Sequence, residues 1–400
     1  MERGTLLHAI AALGKSTLTL PQVLLDSAQQ HINEQRDFPT TRHESWKYTR
    51  LQRVANLDLV PLTFSQHSNA LDSNENAIHF SDDQWFVSTS DSAIQVQSAQ
   101  SLTEKDWMAC THEGHVQATN ALTAQGGVFV KISPNSQVDL PILLSHTLNQ
   151  SGKAMVLHHQ IVVGKNASAR ISLRSEGQSN DAYQNILIDF FLEEGALLHV
   201  DKLQHTEGSS YCFFTERVFQ ERSSQFTLQT ISLDNHFIRN EVEVYSNGEG
   251  THTQLYGAFL GHGKNHQDHH TYMHHKFPNC TSDENYKGIL WDQATGVFNG
   301  KVKVYKDAQK INAFQSNKNL LLSEQASMNS KPELEIYADD VKCSHGSTTG
   351  QLDEQALFFL RSRGIAREKA TKLLTSAFIE EVAANVQCPY IKGVLDKHLA

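Results

Sequence analysis

The chain of 400 residues is poor in cysteine: it has five, Cys110, Cys212, Cys280, Cys343 and Cys388, an odd number with no CxxC spacing. That excludes a disulfide framework and a preformed zinc cluster, and it points to a reducing compartment. There is no excess of positive charge. Thirty-four basic residues face 44 acidic ones, a net charge of −10, which argues against a nucleic-acid or anionic-membrane surface. No apolar run approaches a membrane span, and the opening MERGTLLHAI lacks the basic stretch and long apolar core of a secretory signal. The expectation is a soluble, cytoplasmic protein with no membrane or nucleic-acid partner. A complete nucleotide loop is also missing. GKST at Gly14–Thr17 would need a glycine where Ala9 stands and a strand before it.

What the chain does have is length for a large core and a middle section of short β-rich runs. Residues 5–35 carry two apolar stripes at helical spacing, the second following Pro21. Arg42–Leu51 reads as a polar turn anchored by Trp46 and Tyr48, and residues 65–80 as an exposed connection. Trp85–Gln97 alternates, and Leu102–Cys110 suggests a short helix. From about Gly126, runs such as VFVKI, AMVLHHQIVV, NILIDFFLE, QFTLQTISL and GKVKVY alternate between Gly, Asn, Ser and Asp turns, without helices to separate them. Turn signals at Gly164–Ala169, Glu194–Ala196, Arg222–Ser224 and Gly248–Gly250 recur roughly every 25 to 31 residues, which suits two strands per coil of a solenoid. A sandwich would give similar short strands.

The stretch Leu334–Cys343 alternates with period two and predicts a strand. If that strand continues, Cys343 and His345 project from one face. Thr348 or Thr349 then caps a helix over Leu352–Arg363, with Asp353 and Glu354 in its first turn, and Gly364 stops it. A second helix spans Arg367–Val386, with Ala370, Leu373, Leu374, Ala377, Phe378, Glu381 and Val382 near one face, and Pro389 ends it. The two make an appendage that packs on the β unit, offers an apolar strip to a partner, or does both.

Seven histidines, His252, His262, His266, His269, His270, His274 and His275, crowd into a short run. Gly257, Gly261 and Gly263 oppose a helix there, and on a strand residues four apart lie about 13 Å from end to end of the row. One ion cannot be held by this run alone, so packed or solvated histidines are expected, with a His-rich metal-binding protein as an alternative. A β-helix carbohydrate-active enzyme is the other alternative, but adjacent Asp339 and Asp340 would point to opposite faces and form no catalytic pair. No catalytic constellation is expected.

Three stretches carry a resemblance. SKPELEIYADDVKCSHGSTTGQLDEQALFFLRSRGI (residues 330–365), the run from Ser282 to Ser323, and RHESWKYT (Arg42–Thr49) together resemble the SufD branch of the SufB/SufD family of iron–sulfur cluster assembly proteins. The resemblance implies a mainly β protein: an N-terminal helical and mixed region over residues 1–110, a right-handed parallel β-helix core over 111–346, and a C-terminal helical subdomain over 347–400. It implies a scaffold rather than an enzyme, paired with SufB, or with itself in isolation, and binding the SufC ATPase through the C-terminal helices. No tightly bound cofactor is expected. Carried over by position, Cys343 and His345 would meet transient iron or a nascent Fe–S cluster shared with SufB at the heterodimer interface, with His345 ahead of Cys343 as ligand or delivery group. Ser347 and Thr349 stand where Ala and Val are common in the family, a change in packing rather than chemistry.

Overall fold

The computed structural model describes residues 12–34, 39–67, 75–108 and 114–399. Its centre is a parallel β-solenoid of about eight turns. One column of strands runs Ile142–Thr147, the first halves of Ser168–Leu192 and Leu197–Gln220, then Gln225–Leu233, His252–Gly261, Thr281–Leu290, Ile311–Leu321 and Val341–Gly350. The second holds Lys153–Val163, the second halves of the two long strands, Phe237–Ser246, His266–His275, Thr295–Val304 and Ser327–Ile336. Each strand pairs in parallel with the equivalent strand one coil away. Gln225 opposes His252 and His252 opposes Thr281, so a coil is 27 or 29 residues there.

A recurring turn sets that length. Asn166, Gly195, Ser223, Gly250, Asn279 and Lys310 all have φ between 54° and 72°, one residue per coil. The amide of each donates to the carbonyl one coil on: Asn166 to Glu194, Gly195 to Arg222, Ser223 to Glu249, Gly250 to Pro278, Asn279 to Gln309 and Lys310 to Asp340. Gly, Asn and Asp dominate such turns because they adopt the left-handed region at least cost. Ser223 and Lys310 show that the stack can impose this conformation on less suited residues.

The N-terminal region closes the first coil. Asn76–Ser81 pairs with Ile142–Thr147, and Ile94–Ser98 with Val128–Ile132. Helices α1 (Gln22–Glu34) and α2 (His115–Thr123) pack together beside them. Residues 65–80 are therefore not all a connection: Ala77, Ile78 and Phe80 are buried strand residues, while 68–74 lie outside the described residues. Trp46 is buried as an anchor but Tyr48 is 41% exposed. The short helix expected over Leu102–Cys110 is replaced by turns as far as Met108, and Cys110 lies outside the described residues, as does most of the first apolar stripe.

After Gly350 come three helices, not two: α3 (Glu354–Ser362), α4 (Arg367–Ala383) and α5 (Pro389–Leu399). Asp353 caps α3 by accepting from the Gln355 and Ala356 amides, because the preceding strand carries Thr348 and Thr349 as strand residues. Pro389 opens α5, where its missing amide costs nothing. Ile379, Val382, Ala383, Ile391 and Leu395 pack on Leu203, Ile231, Leu233, Ala258, Leu260 and Ile289 of the first column. The buried face of α4 is thus rotated from the expected one, leaving Leu373 and Ala377 exposed. No described helix is long and apolar enough to cross a membrane.

A buried ion pair links three successive strands of the second column. Arg217 grips Asp189 with two bonds, Nε to Oδ1 at 2.6 Å and an Nη to Oδ2 at 2.9 Å, and His158 Nε2 sits 2.8 Å from Oδ2. Burial works to raise the Asp189 pKa, but Arg217 and His158 outweigh it and hold the carboxyl well below its ordinary value. Asp189→Asn leaves the buried guanidinium facing a neutral amide. It should lower stability by about 3 to 5 kcal/mol in chemical denaturation; a loss below about 1 kcal/mol would mean that the pair contributes little.

Candidate functional site

Cys343 and His345 lie on Val341–Gly350, the last strand of the first column. The alternation around Leu334 belongs to a different strand: Ser327–Ile336 ends, the chain turns through Tyr337–Asp340, and the second strand starts at Val341. The separation of two residues still puts both side chains on one face. Cys343 opposes Ala313 and His345 opposes Gln315, which are buried inside the solenoid, so both point inward over its end.

That end is uncovered. Among the described residues Val341–Gly350 pairs only with Ile311–Leu321, and Ser327–Ile336 only with Thr295–Val304, so each keeps one free edge. Most of the last strand is exposed, and Phe314, Ile336 and Tyr337 nearby leave apolar surface in solvent. Cys343 is half-buried against the main apolar core. Burial pushes its thiol up, against a lowering backbone hydrogen bond from Ala313. At neutral pH it is a protonated, packed thiol rather than a ready ligand. His345 is exposed and makes no side-chain hydrogen bond among the described residues.

Beneath the pair runs a file of buried polar groups. Glu284 opposes Gln315, which opposes His345, placing the carboxyl two strand spacings, about 10 Å, below the imidazole. Glu284 Oε2 accepts from Thr271 at 2.7 Å and from Gln315 at 3.0 Å, while its Oε1 has no hydrogen-bond partner among the described residues. Ser347 donates to Ser330 at 2.7 Å, Ser330 to Asn317 Oδ1 at 2.8 Å, and the Asn317 amide to the Tyr286 carbonyl at 3.2 Å. Gly257 makes room for Tyr286: a Cβ there would stand 2.2 Å from the ring. Deeper still, Lys202 Nζ reaches Glu216 at 2.7 Å and Asn240 at 3.0 Å.

RHESWKYT sits on the outer face of the second column. Trp46 stacks under the Arg239 guanidinium at 3.7 Å, Thr49 donates to Asp268 at 2.6 Å, and Glu44 pairs with Lys331 of the last coil. Arg239 also holds Asp268 at 2.6 Å and Glu241 at 2.7 Å. No sequence spacing announces these partners, because Glu44, Trp46 and Thr49 meet solenoid residues far along the chain and Arg239 meets Asp268 one coil on.

The histidine run separates into roles. His269 and His275 point into the solenoid, and His269 stacks on Phe259. His266 and His274 stack outside on Phe237 and Tyr245, and His270 pairs with Asp268. Asp339 and Asp340 lie in an exposed turn.

The SUF system FeS cluster assembly SufBD core domain matches residues 146–378. The chain belongs to the SufBD family. Over 376 residues it is 29% identical to the iron–sulfur cluster assembly protein SufD of Escherichia coli K12, covering 89% of this chain and 87% of that one. It is 32% identical to an iron–sulfur cluster assembly SufBD family protein of Synechocystis over 277 residues, 66% of this chain and 61% of that one. To the SufD of Bacillus subtilis it is 26% identical over 290 residues, 71% and 65% of the two chains. The SufBD core begins within the solenoid's first full coils and ends in α4, so Cys343, His345 and the polar file all lie inside it.

Glu284 supplies a pH test of the interior. Burial pushes its carboxyl up to about 7 from 4.5, against the hydrogen bonds from Gln315 and Thr271. Between those values the unfolded chain releases the proton while the folded one keeps it, so stability falls as pH rises through the window. Above pH 7 the full deficit, about 3 kcal/mol, remains. Glu284→Gln should unfold at a higher temperature than the parent above pH 7, with the gap closing toward pH 4.5; a gap independent of pH would contradict this.

Proposed function

We propose that this chain is a SufD-type scaffold subunit of the SUF machinery that pairs with a SufB-type chain through the uncovered end of its solenoid. It works in the cytoplasm without catalytic turnover of its own. The observation that carries the reading is the position of His345 and Cys343 on a terminal strand whose outer edge has no partner. A solenoid end leaves backbone amides, carbonyls and apolar surface that a neighbouring chain can cover.

The two edges differ in a way that favours one docking line. Ser327–Ile336 carries Lys331, Pro332, Glu333 and Glu335, with Lys301 paired to Glu335 and Lys331 to Glu333, the charges and proline that discourage strand addition. Val341–Gly350 has small polar residues and no proline. A partner strand added there brings its own side chains over His345 and Cys343.

Iron or a nascent Fe–S cluster is the cargo of that junction, not a resident group. An exposed imidazole and a half-buried thiol are suitable donors but too few to hold a cluster, so the partner completes the set. Cys343, packed and protonated, would need its surroundings changed before it could bind. SufC docks on the C-terminal helices, where Phe358 and Phe359 of α3 are 73% and 57% exposed. In the absence of SufB, the same edge supports self-association.

Co-purification with SufB- and SufC-type chains, read beside Fe–S enzyme activity in cells, tests the assignment. His345→Ala should leave the complex intact and greatly reduce cluster formation. Cys343→Ser should do less to clusters or should weaken assembly. Phe358→Asp should release SufC and keep SufB. Full Fe–S activity from an intact complex carrying His345→Ala would end the ligand role.

A further inference from the structure

The turn opposite the left-handed ladder brings together three side chains that the resemblance did not point to. Asp234 sits between Gln225–Leu233 and Phe237–Ser246 with φ of 47°, its amide bonded to the Leu260 carbonyl of the next coil. His262 follows His252–Gly261 at the equivalent turn of that coil, and His398 arrives from the last turn of α5. Asp234 Oδ1 lies 2.6 Å from His262 Nδ1, and Oδ2 lies 2.8 Å from His398 Nε2. Among the described residues this is the only group of three His, Cys, Asp or Glu side chains whose donor atoms all lie within 4.8 Å of one another.

We propose that Asp234, His262 and His398 bind a divalent transition metal of the zinc or ferrous class, which fastens α5 to the solenoid. Two imidazoles and one carboxylate are a donor set such ions accept, with water in the remaining positions. A cavity of about 560 Å³, bordered by His262, Trp291, His398 and Thr375, gives that water access. Ordinary hydrogen bonding satisfies the group only in part: His398 Nε2 is buried yet has no aligned hydrogen bond, despite its closeness to Asp234. Bonds of about 2.0 to 2.2 Å set neighbouring donors about 3.3 Å apart. Uptake therefore opens each contact by about half an ångström, a shift within reach of one terminal helix.

Trp291 provides a local probe. Its side chain stacks on His262 with ring centroids 4.0 Å apart, and paramagnetic Co²⁺ bound at that imidazole quenches its fluorescence. The full chain, free of any histidine tag and stripped of metal, is titrated with Co²⁺, and with Zn²⁺ while its thermal midpoint is followed. Saturable quenching that vanishes in Trp291→Phe is expected, together with a rise in thermal midpoint on adding Zn²⁺. His398→Ala and His262→Ala should each weaken Co²⁺ binding about tenfold or more while far-ultraviolet circular dichroism stays unchanged. His252→Ala, which alters a histidine elsewhere in the run, should bind as the parent does. If His262→Ala fails to fold, His398→Ala alone decides, because it changes only the end of α5. Quenching that survives both substitutions, or no saturable quenching and no Zn²⁺ shift in the parent, overturns the site.

Discussion

Hydrogen bonding between successive coils is the constraint on which this structure depends. Each turn residue held in the left-handed region passes its amide to the coil after it, from Asn166 to Lys310, while the strands repeat the same step along both columns. Such an arrangement is stable in its middle and unfinished at its ends. The N-terminal strands finish one end by pairing with Val128–Ile132 and Ile142–Thr147. The other is left with Ser327–Ile336 and Val341–Gly350, one edge defended by charge and proline and one not. The proposed pairing rests on that asymmetry: the undefended edge is also the one that displays an imidazole and a thiol.

The interior of the solenoid is unusual in how much polarity it holds. Lys202, Glu216, Asn240, His269, Glu284, Gln315 and Asn317 are buried among the apolar side chains, and each makes at least one hydrogen bond to another coil or across its own. Buried polar groups of this kind cost free energy unless fully paired. Among the described residues, Glu216 Oε2, His269 Nε2, Gln315 Oε1 and Glu284 Oε1 are left without a hydrogen-bond partner, and burial raises the pKa of the Glu284 carboxyl. The file ends beneath His345, so the packing of the last coils and the surroundings of that imidazole share residues.

Much of this was legible in the amino-acid order because period two is strict. Cys343 and His345 had to share a face whichever strand carried them, and Gly, Asn and Ser turns marked the coils. Other features depended on contacts between coils. The break at Tyr337–Asp340 was hidden by an alternation that continues through it. The strand ending in YCFFTERVFQ carries no legible alternation, because its charged residues Glu216 and Arg217 are buried by partners on other strands. Helix α2 buries Gln117, Thr119 and Asn120, so its burial shows no apolar stripe. Asp234, His262 and His398 come together only because the fold places two neighbouring turns beside the final helix.

The central claim is that the uncovered end is completed by another chain. Amide hydrogen exchange measured on the chain alone and in complex with a SufB-type partner tests it directly. Amides of residues 341–350 should exchange rapidly in the dilute single chain and become strongly protected in the complex, while those of the inner coils stay equally slow in both. A complex that forms and leaves the exchange of 341–350 unchanged would place the partner elsewhere and contradict the account.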